Sequence, residues 1–192
     1  MMIVSCAIKD LSSLESFENL RVVQIGHDIY DKTEINLDLT PLKKFKQLET
    51  LSISSCSVSN LPSVVKELHF LKTLNFSSVR PFHLPPEVWQ LDYLENLSCS
   101  GCKMTTFEIK KVSQNSKIHT IRLGSNLLTE IPKALFELPL LHTLWISGNK
   151  LTQLYDDVKN ATALKNLRAK HNSLDEIEKE KISNLNIETL SV

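Results

Sequence analysis

A 23-residue spacing governs what this chain can fold into. Segments starting at Leu20, Leu48, Leu71, Leu94, Ile118, Leu141 and Leu164 read LRVVQIGHDIY, LETLSISSCSV, LKTLNFSSVRP, LENLSCSGCKM, IHTIRLGSNLL, LHTLWISGNKL and LKNLRAKHNSL. A shorter copy, IETLSV, starts at Ile187. The starts lie 28, 23, 23, 24, 23, 23 and 23 residues apart, and the shared form is LxxLxLxxNxL. Between the copies comes a second half, seen as LPSVVKEL, LPPEVWQL and IPKALFEL. A fixed period of this size signals stacked supersecondary units.

Side-chain geometry says what each unit must be. In LxxLxLxx the apolar residues alternate, so they face one side of a short strand. Later apolar residues, such as Leu135 and Leu138, shift to a spacing of three or four. That spacing suits a 3₁₀ or short helical return on the opposite side. Pro62, Pro85 and Pro132 each follow an apolar residue near the start of that return, where a fixed φ and a missing N–H cost least. One coil cannot bury its Leu ridge alone. Stacked coils can, and their strands then form a parallel sheet.

The template resembles that of the leucine-rich repeat family, and the 23-residue period with LPxxφxxL is similar to its typical and bacterial classes. The resemblance implies an α/β fold: a single right-handed solenoid over residues 1–192, with a parallel β-sheet on the concave face. It implies irregular, 3₁₀ or short helical returns on the convex face. Full repeats start at 20, 48, 71, 94, 118, 141 and 164, with partial repeats at both ends. It also implies that the ninth template residue points inward and bonds backbone groups of the turn. That position holds Cys6, Asp28, Cys56, Val79, Cys102, Asn126, Asn149 and Asn172. Asn offers both donor and acceptor to buried backbone groups. Cys substitutes as a small, weakly polar residue. Val79 cannot hydrogen-bond, so the ladder should be disturbed there.

Composition excludes several function classes. Hydrophobic residues make up 42% of the 192, too many for a disordered chain. No run of about 18 uncharged apolar residues exists to span a membrane. Lys+Arg and Asp+Glu are both 22, so no bulk field draws the chain to nucleic acid or membrane. Cys99 and Cys102 have CxxC spacing, but they fall at the inward sixth and ninth positions, which predicts buried free thiols rather than a redox or metal site. Reduced thiols predict a cytoplasmic setting, with a secreted effector as the alternative. The sequons at Asn75 and Asn96 fall inside predicted strands and read as products of the repeat. His119 and His142 share the second template position without a third ligand, so they read as surface residues. No phosphate loop, nucleophile elbow or zinc-helix motif occurs. These features predict no enzymatic activity, no cofactor and no metal.

Outward positions form columns across the sheet, because parallel strands lie about 4.8 Å apart. The fifth-position column reads Gln24, Ser52, Asn75, Ser98, Arg122, Trp145, Arg168, Ser191. Its N-terminal half is small and polar. Its C-terminal half brings Arg122, Trp145 and Arg168 side by side, with Lys150, Lys170 and His171 nearby. Trp flanked by Arg suits a planar or acidic partner, and both types are common at interface centres. The competing reading is that Arg merely covers the Trp. The sequence therefore predicts a binding scaffold whose concave face takes a protein or peptide, acidic or aromatic. The patch is small and net charge zero, which argues against nucleic acid. The alternative is a structural or targeting segment of a larger signalling or effector protein.

Two irregularities remain. The repeat starting at Leu20 is five residues longer than the 23-residue norm, with the extra chain near Asp31–Asn36, read as a surface insertion. Neither end carries an evident polar cap, which predicts weak homodimerisation or a continuing domain.

Overall fold

The computed structural model describes residues 11–17, 19–26, 36–80, 82–113 and 115–192. Ten strands follow in order: β1 (Val22–Gly26), β2 (Asn36–Asp38), β3 (Thr50–Ser54), β4 (Ser57–Ser59), β5 (Thr73–Ser77), β6 (Asn96–Ser98), β7 (Thr120–Arg122), β8 (Thr143–Trp145), β9 (Asn166–Arg168) and β10 (Thr189–Ser191). Eight of them form one sheet in the order β1-β3-β5-β6-β7-β8-β9-β10, every pair parallel. Each of these strands starts two residues after a template start, so the repeat period is the strand register.

The alternation does what its period requires. Val23, Leu51, Leu74, Leu97, Ile121, Leu144 and Leu167 at the fourth position are buried. So are Ile25, Ile53, Phe76, Cys99, Leu123, Ile146 and Ala169 at the sixth. These belong to one continuous core. The returns on the far side vary. Some are 3₁₀ turns (Thr40–Lys44, Pro86–Gln90, Lys133–Leu135), and others are the helices α1 (Leu61–Val65), α2 (Tyr155–Val158) and α3 (Glu176–Ser183). Pro62 sits in the first turn of α1, and Pro85 and Pro132 cap the turns that follow them. Asp175 caps α3 by accepting the Glu178 N–H at 2.8 Å.

The return between Met104 and Ser116 has no helix among its described residues. It is braced by Trp89, which is fully buried and stacks on Phe107 with ring centroids 6.0 Å apart. The Trp89 indole N–H donates to Glu108 O at 3.0 Å, and Ser113 N–H donates to Trp89 O at 2.8 Å. Gln90 Nε2 donates to Lys111 O nearby.

Among the described residues, the chain enters the descending turns of the repeats from Leu48 to Leu164 through a left-handed residue. The eighth template position has positive φ at Ser55, Ser78, Gly101, Ser125, Gly148 and His171. Here the N–H of Ser55, Ser78, Gly101, Ser125 and Gly148 donates to the seventh-position carbonyl of the next coil at 2.8–3.0 Å. A Cβ on Gly101 would lie 3.2 Å from Ser78 Oγ, so this column is tightly stacked.

The polar ladder follows directly. Asn126 Nδ2 donates to Cys99 O at 2.7 Å, Asn149 Nδ2 to Leu123 O at 3.0 Å, and Asn172 Nδ2 to Ile146 O at 3.1 Å. Each is the sixth-position carbonyl of the preceding coil. Asn126 Oδ1 accepts from Cys102 N and Met104 N at 3.0 and 3.1 Å. Asn149 and Asn172 accept from Leu128 N and Leu151 N, both at 3.1 Å. Cys102 keeps half of this role: its thiol donates to Phe76 O at 3.4 Å.

The ladder is interrupted at Val79, which is fully buried. The preceding turn is tied differently. Arg80 N–H donates to Cys56 O at 3.2 Å, and β4 pairs in parallel with β2 in a separate two-stranded sheet. That second sheet has no counterpart in the repeat pattern. It engages Asn36, the last residue of the extra segment; Asp31 and its neighbours up to residue 35 lie outside the described residues, as do Cys6, Asp28 and Met1–Ile8.

Candidate concave-face site

Strands β7, β8 and β9 place Arg122, Trp145 and Arg168 opposite one another in register. The Arg122 guanidinium carbon lies 4.3 Å from the Trp145 ring centroid, and that of Arg168 lies 4.4 Å from it. One guanidinium comes from each flanking strand, so the indole is held between two cations. Cation–π attraction at such solvent-accessible sites, about 0.5–1 kcal/mol per contact, favours this arrangement of the three side chains. It also leaves both ring faces occupied, so an incoming aromatic group must displace an arginine to stack. The N–H edges of the guanidiniums stay available for a planar acceptor.

Around the trio the sheet is neutral or basic. The third-position column reads Thr120, Thr143, Asn166, and the seventh reads Gly124, Ser147, Lys170. Asn166 Nδ2 donates to Thr143 Oγ1 at 3.4 Å. Toward the N-terminal half, Asn75 Nδ2 donates to Ser52 Oγ and Ser77 Oγ to Asn75 Oδ1, both at 3.0 Å. Lys150, Lys170 and His171 are exposed. Lys170 and His171 line an open pocket of about 350 Å³ with Asn172, Leu174 and Lys179. Lys150 follows Asn149 in the descending turn, with its N–H on Leu128 O at 2.8 Å.

Two surface features escaped the column reading, although both occupy fixed template positions. The second-position column alternates in charge. Glu49 pairs with Arg21 at 2.7 Å and Lys72 at 2.8 Å, His119 lies 3.9 Å from Glu95, and Lys165 pairs with Glu188 at 3.3 Å. Lys72, then Arg21, hold the Glu49 carboxyl below its usual range. These pairs are solvent-exposed and favour register more than stability. One position before the template start, Phe70 and Tyr93 stack at 5.6 Å, and Lys117 caps the Tyr93 ring at 4.8 Å. Leu140, the next in line, is also exposed.

Cys56, Cys99 and Cys102 are free and buried. Burial pushes the Cys56 thiol up to about 11 and raises Cys99 and Cys102 as well. A thiol whose folded pKa exceeds its unfolded value favours folding below the unfolded pKa, and the contribution fades as pH climbs toward the folded one. Stability is therefore expected to decline between pH 9 and about 11 as unfolded Cys56 ionises. Titrating the native protein with a thiol reagent at pH 8 should leave these three cysteines unlabelled until denaturant is added. Rapid labelling of Cys99 in the folded protein would contradict its placement. Among the described residues, no group of three His, Cys, Asp or Glu could hold a metal ion.

Residues 1–114 match the family model of the leucine-rich repeat region. The chain belongs to the leucine-rich repeat family. No curated protein matches it. Its fold is similar to that of the leucine-rich repeat protein LIC12759 of Leptospira interrogans, with TM-score 0.67 and 22% identity over 93% of this chain and 50% of that one. It is also similar to internalin InlF of Listeria monocytogenes, with TM-score 0.64 and 20% identity over 94% of this chain and 50% of that one. A third similar structure is the leucine-rich repeat domain of the type III effector XopL, with TM-score 0.58 and 17% identity over 74% of this chain and 53% of that one. Identities this low establish the leucine-rich repeat fold alone. The chain spans about half the length of each of these solved chains. No helix among its described residues is long and apolar enough to cross a membrane. Leucine-rich repeat solenoids present extended concave surfaces to partners, and on this one the basic–aromatic trio occupies the C-terminal half.

Proposed function

We propose that this leucine-rich repeat protein is a non-enzymatic interaction module that binds a protein or peptide on its concave sheet. Arg122, Trp145 and Arg168 form the centre, and Lys150, Lys170 and His171 the margin. The observation that carries this reading is the stacked trio. Three large side chains are ordered against each other on an otherwise small, polar face. Among the described residues neither arginine is in an ion pair. Because the arginines take both faces of the ring, an acidic segment fits better than an aromatic one. Three unpaired thiols support a reducing, cytoplasmic compartment.

The test is affinity capture from the native cell with the unaltered protein and with Trp145→Ala, Arg122→Ala and Arg168→Ala. Loss of a buried interface centre costs 2 kcal/mol or more, about 30-fold in affinity. A partner held equally by all four proteins would place the binding surface elsewhere.

A further inference from the structure

Resting on that reading of the concave face, we infer that the ligand is an extended segment carrying two acidic residues separated by one, lying across the strands. Three features set its chemistry. First, the two guanidinium carbons are no more than 8.7 Å apart, since each lies on the same indole ring. A planar fork on each side of a fixed ring is suited to a carboxylate apiece.

Second, no acid sits among them. The third-, fifth- and seventh-position columns from Thr50 to Ser191 contain no Asp or Glu. The acids of this face, Glu49, Glu95 and Glu188, stand at the second position, where each lies beside Arg21 and Lys72, His119 or Lys165. The cationic pair, with Lys170 two residues beyond Arg168, thus meets no internal counter-charge among the described residues. An arrangement that holds two like charges together and compensates neither is complementary to a doubly acidic ligand.

Third, the Trp145 indole N–H donates to no protein acceptor among the described residues. It is open to solvent, since no buried side-chain nitrogen among the described residues lacks a partner, and it can donate to an acceptor on a ligand that covers the ring. An extended backbone offers free carbonyls there, whereas a helix uses its own internally.

Spacing then selects the motif. Arg122 and Arg168 lie two strands apart, so the line joining them crosses the strands. In an extended chain, residues i and i+2 point the same way, about 6.5–7 Å apart. Side-chain reach covers the remainder. Adjacent acids point to opposite faces, and acids four apart lie about 13 Å from each other.

The experiment measures binding of synthetic ten-residue peptides to the full chain by fluorescence anisotropy in 50 mM NaCl. One peptide carries Asp-Ala-Asp in a Gly/Ser context; controls carry Asp-Asp-Ala, Asn-Ala-Asp, or two Asp four apart in an Ala-rich helix. The expected result is about tenfold tighter binding of Asp-Ala-Asp than of any control. Arg122→Gln and Arg168→Gln should each remove that preference, and 0.5 M NaCl should weaken it. Circular dichroism confirms that the variants stay folded. Equal binding of all peptides, or preference for the helical one, overturns the inference. If no peptide is preferred while cellular capture still depends on Trp145, this inference fails and the concave-face reading stands. If capture is also independent of Trp145, both fall.

Discussion

Trp89→Ala is expected to lower the stability of the folded chain by about 3–5 kcal/mol, the range for removing a large buried aromatic. Nearly all of the indole is out of water. Its removal opens a cavity between two coils, ends the stacking on Phe107 and leaves Glu108 O without its donor. The neighbouring return, Met104 to Ser116, has no helix among its described residues and would keep the backbone bond from Ser113 N–H to Trp89 O but lose the ring and the indole N–H that brace it. In a chain of this length the loss corresponds to a fall in Tm of roughly 10 °C. Solenoids are stabilised coil by coil through nearest-neighbour contacts, so a break at this interface should also broaden the unfolding transition. Trp89→Phe retains much of the packing without the N–H and should fall between the two. Thermal denaturation followed by far-ultraviolet circular dichroism reads both effects. A midpoint within 1 °C of the unaltered protein would show that Trp89 is not the brace described.

Asn126→Ala is expected to cost about 3 kcal/mol, more than the same change at Asn149 or Asn172. The reason is the number of groups each side chain serves. Asn126 Oδ1 accepts two buried N–H groups, from Cys102 and Met104, and each orphaned group costs about 1–3 kcal/mol. Asn149 serves one, Leu128 N–H. Asn172 serves Leu151 N–H but is partly exposed, so water can replace it. Asn126→Asp retains the acceptors and loses the donors to Cys99 O and Leu123 O, so its cost isolates the other half of the interaction. Urea denaturation should rank the midpoints as Asn172→Ala, then Asn149→Ala, then Asn126→Ala. Hydrogen exchange at Met104 and Cys102 should rise in Asn126→Ala and not in Asn126→Asp, which keeps their acceptor. Equal midpoints for the three alanine variants would contradict the ladder.

The alternation of apolar residues made the sheet legible without coordinates, and the resemblance to the leucine-rich repeat family implied the ladder at the ninth position. A strand's inward and outward faces follow from a period of two, and register in a stack follows from equal coil lengths. Leu51, Leu74, Leu97 and Leu144 had to meet on one inner column, and Arg122, Trp145 and Arg168 on one outer column. The same reasoning extends to the ion-pair column at the second position and to Phe70 and Tyr93, whose positions repeat at the same interval.

Tertiary structure decided what depends on side-chain direction and on contacts between unlike segments. The placement of both arginines on the Trp145 ring is a choice of rotamers, driven by attraction between two cations and one quadrupole; the column order permits it without requiring it. The bond from Trp89 to Glu108 O joins two returns of different length, so no template position relates them. The pairing of Asn36–Asp38 with Ser57–Ser59 joins the longer Leu20 repeat to the next one at positions where the shared template sets no strand. Periodicity specifies what every coil shares. Where coils differ, at Val79, at Trp89 and at Asn36–Asp38, the outcome is set by which buried backbone groups find partners once the stack has closed.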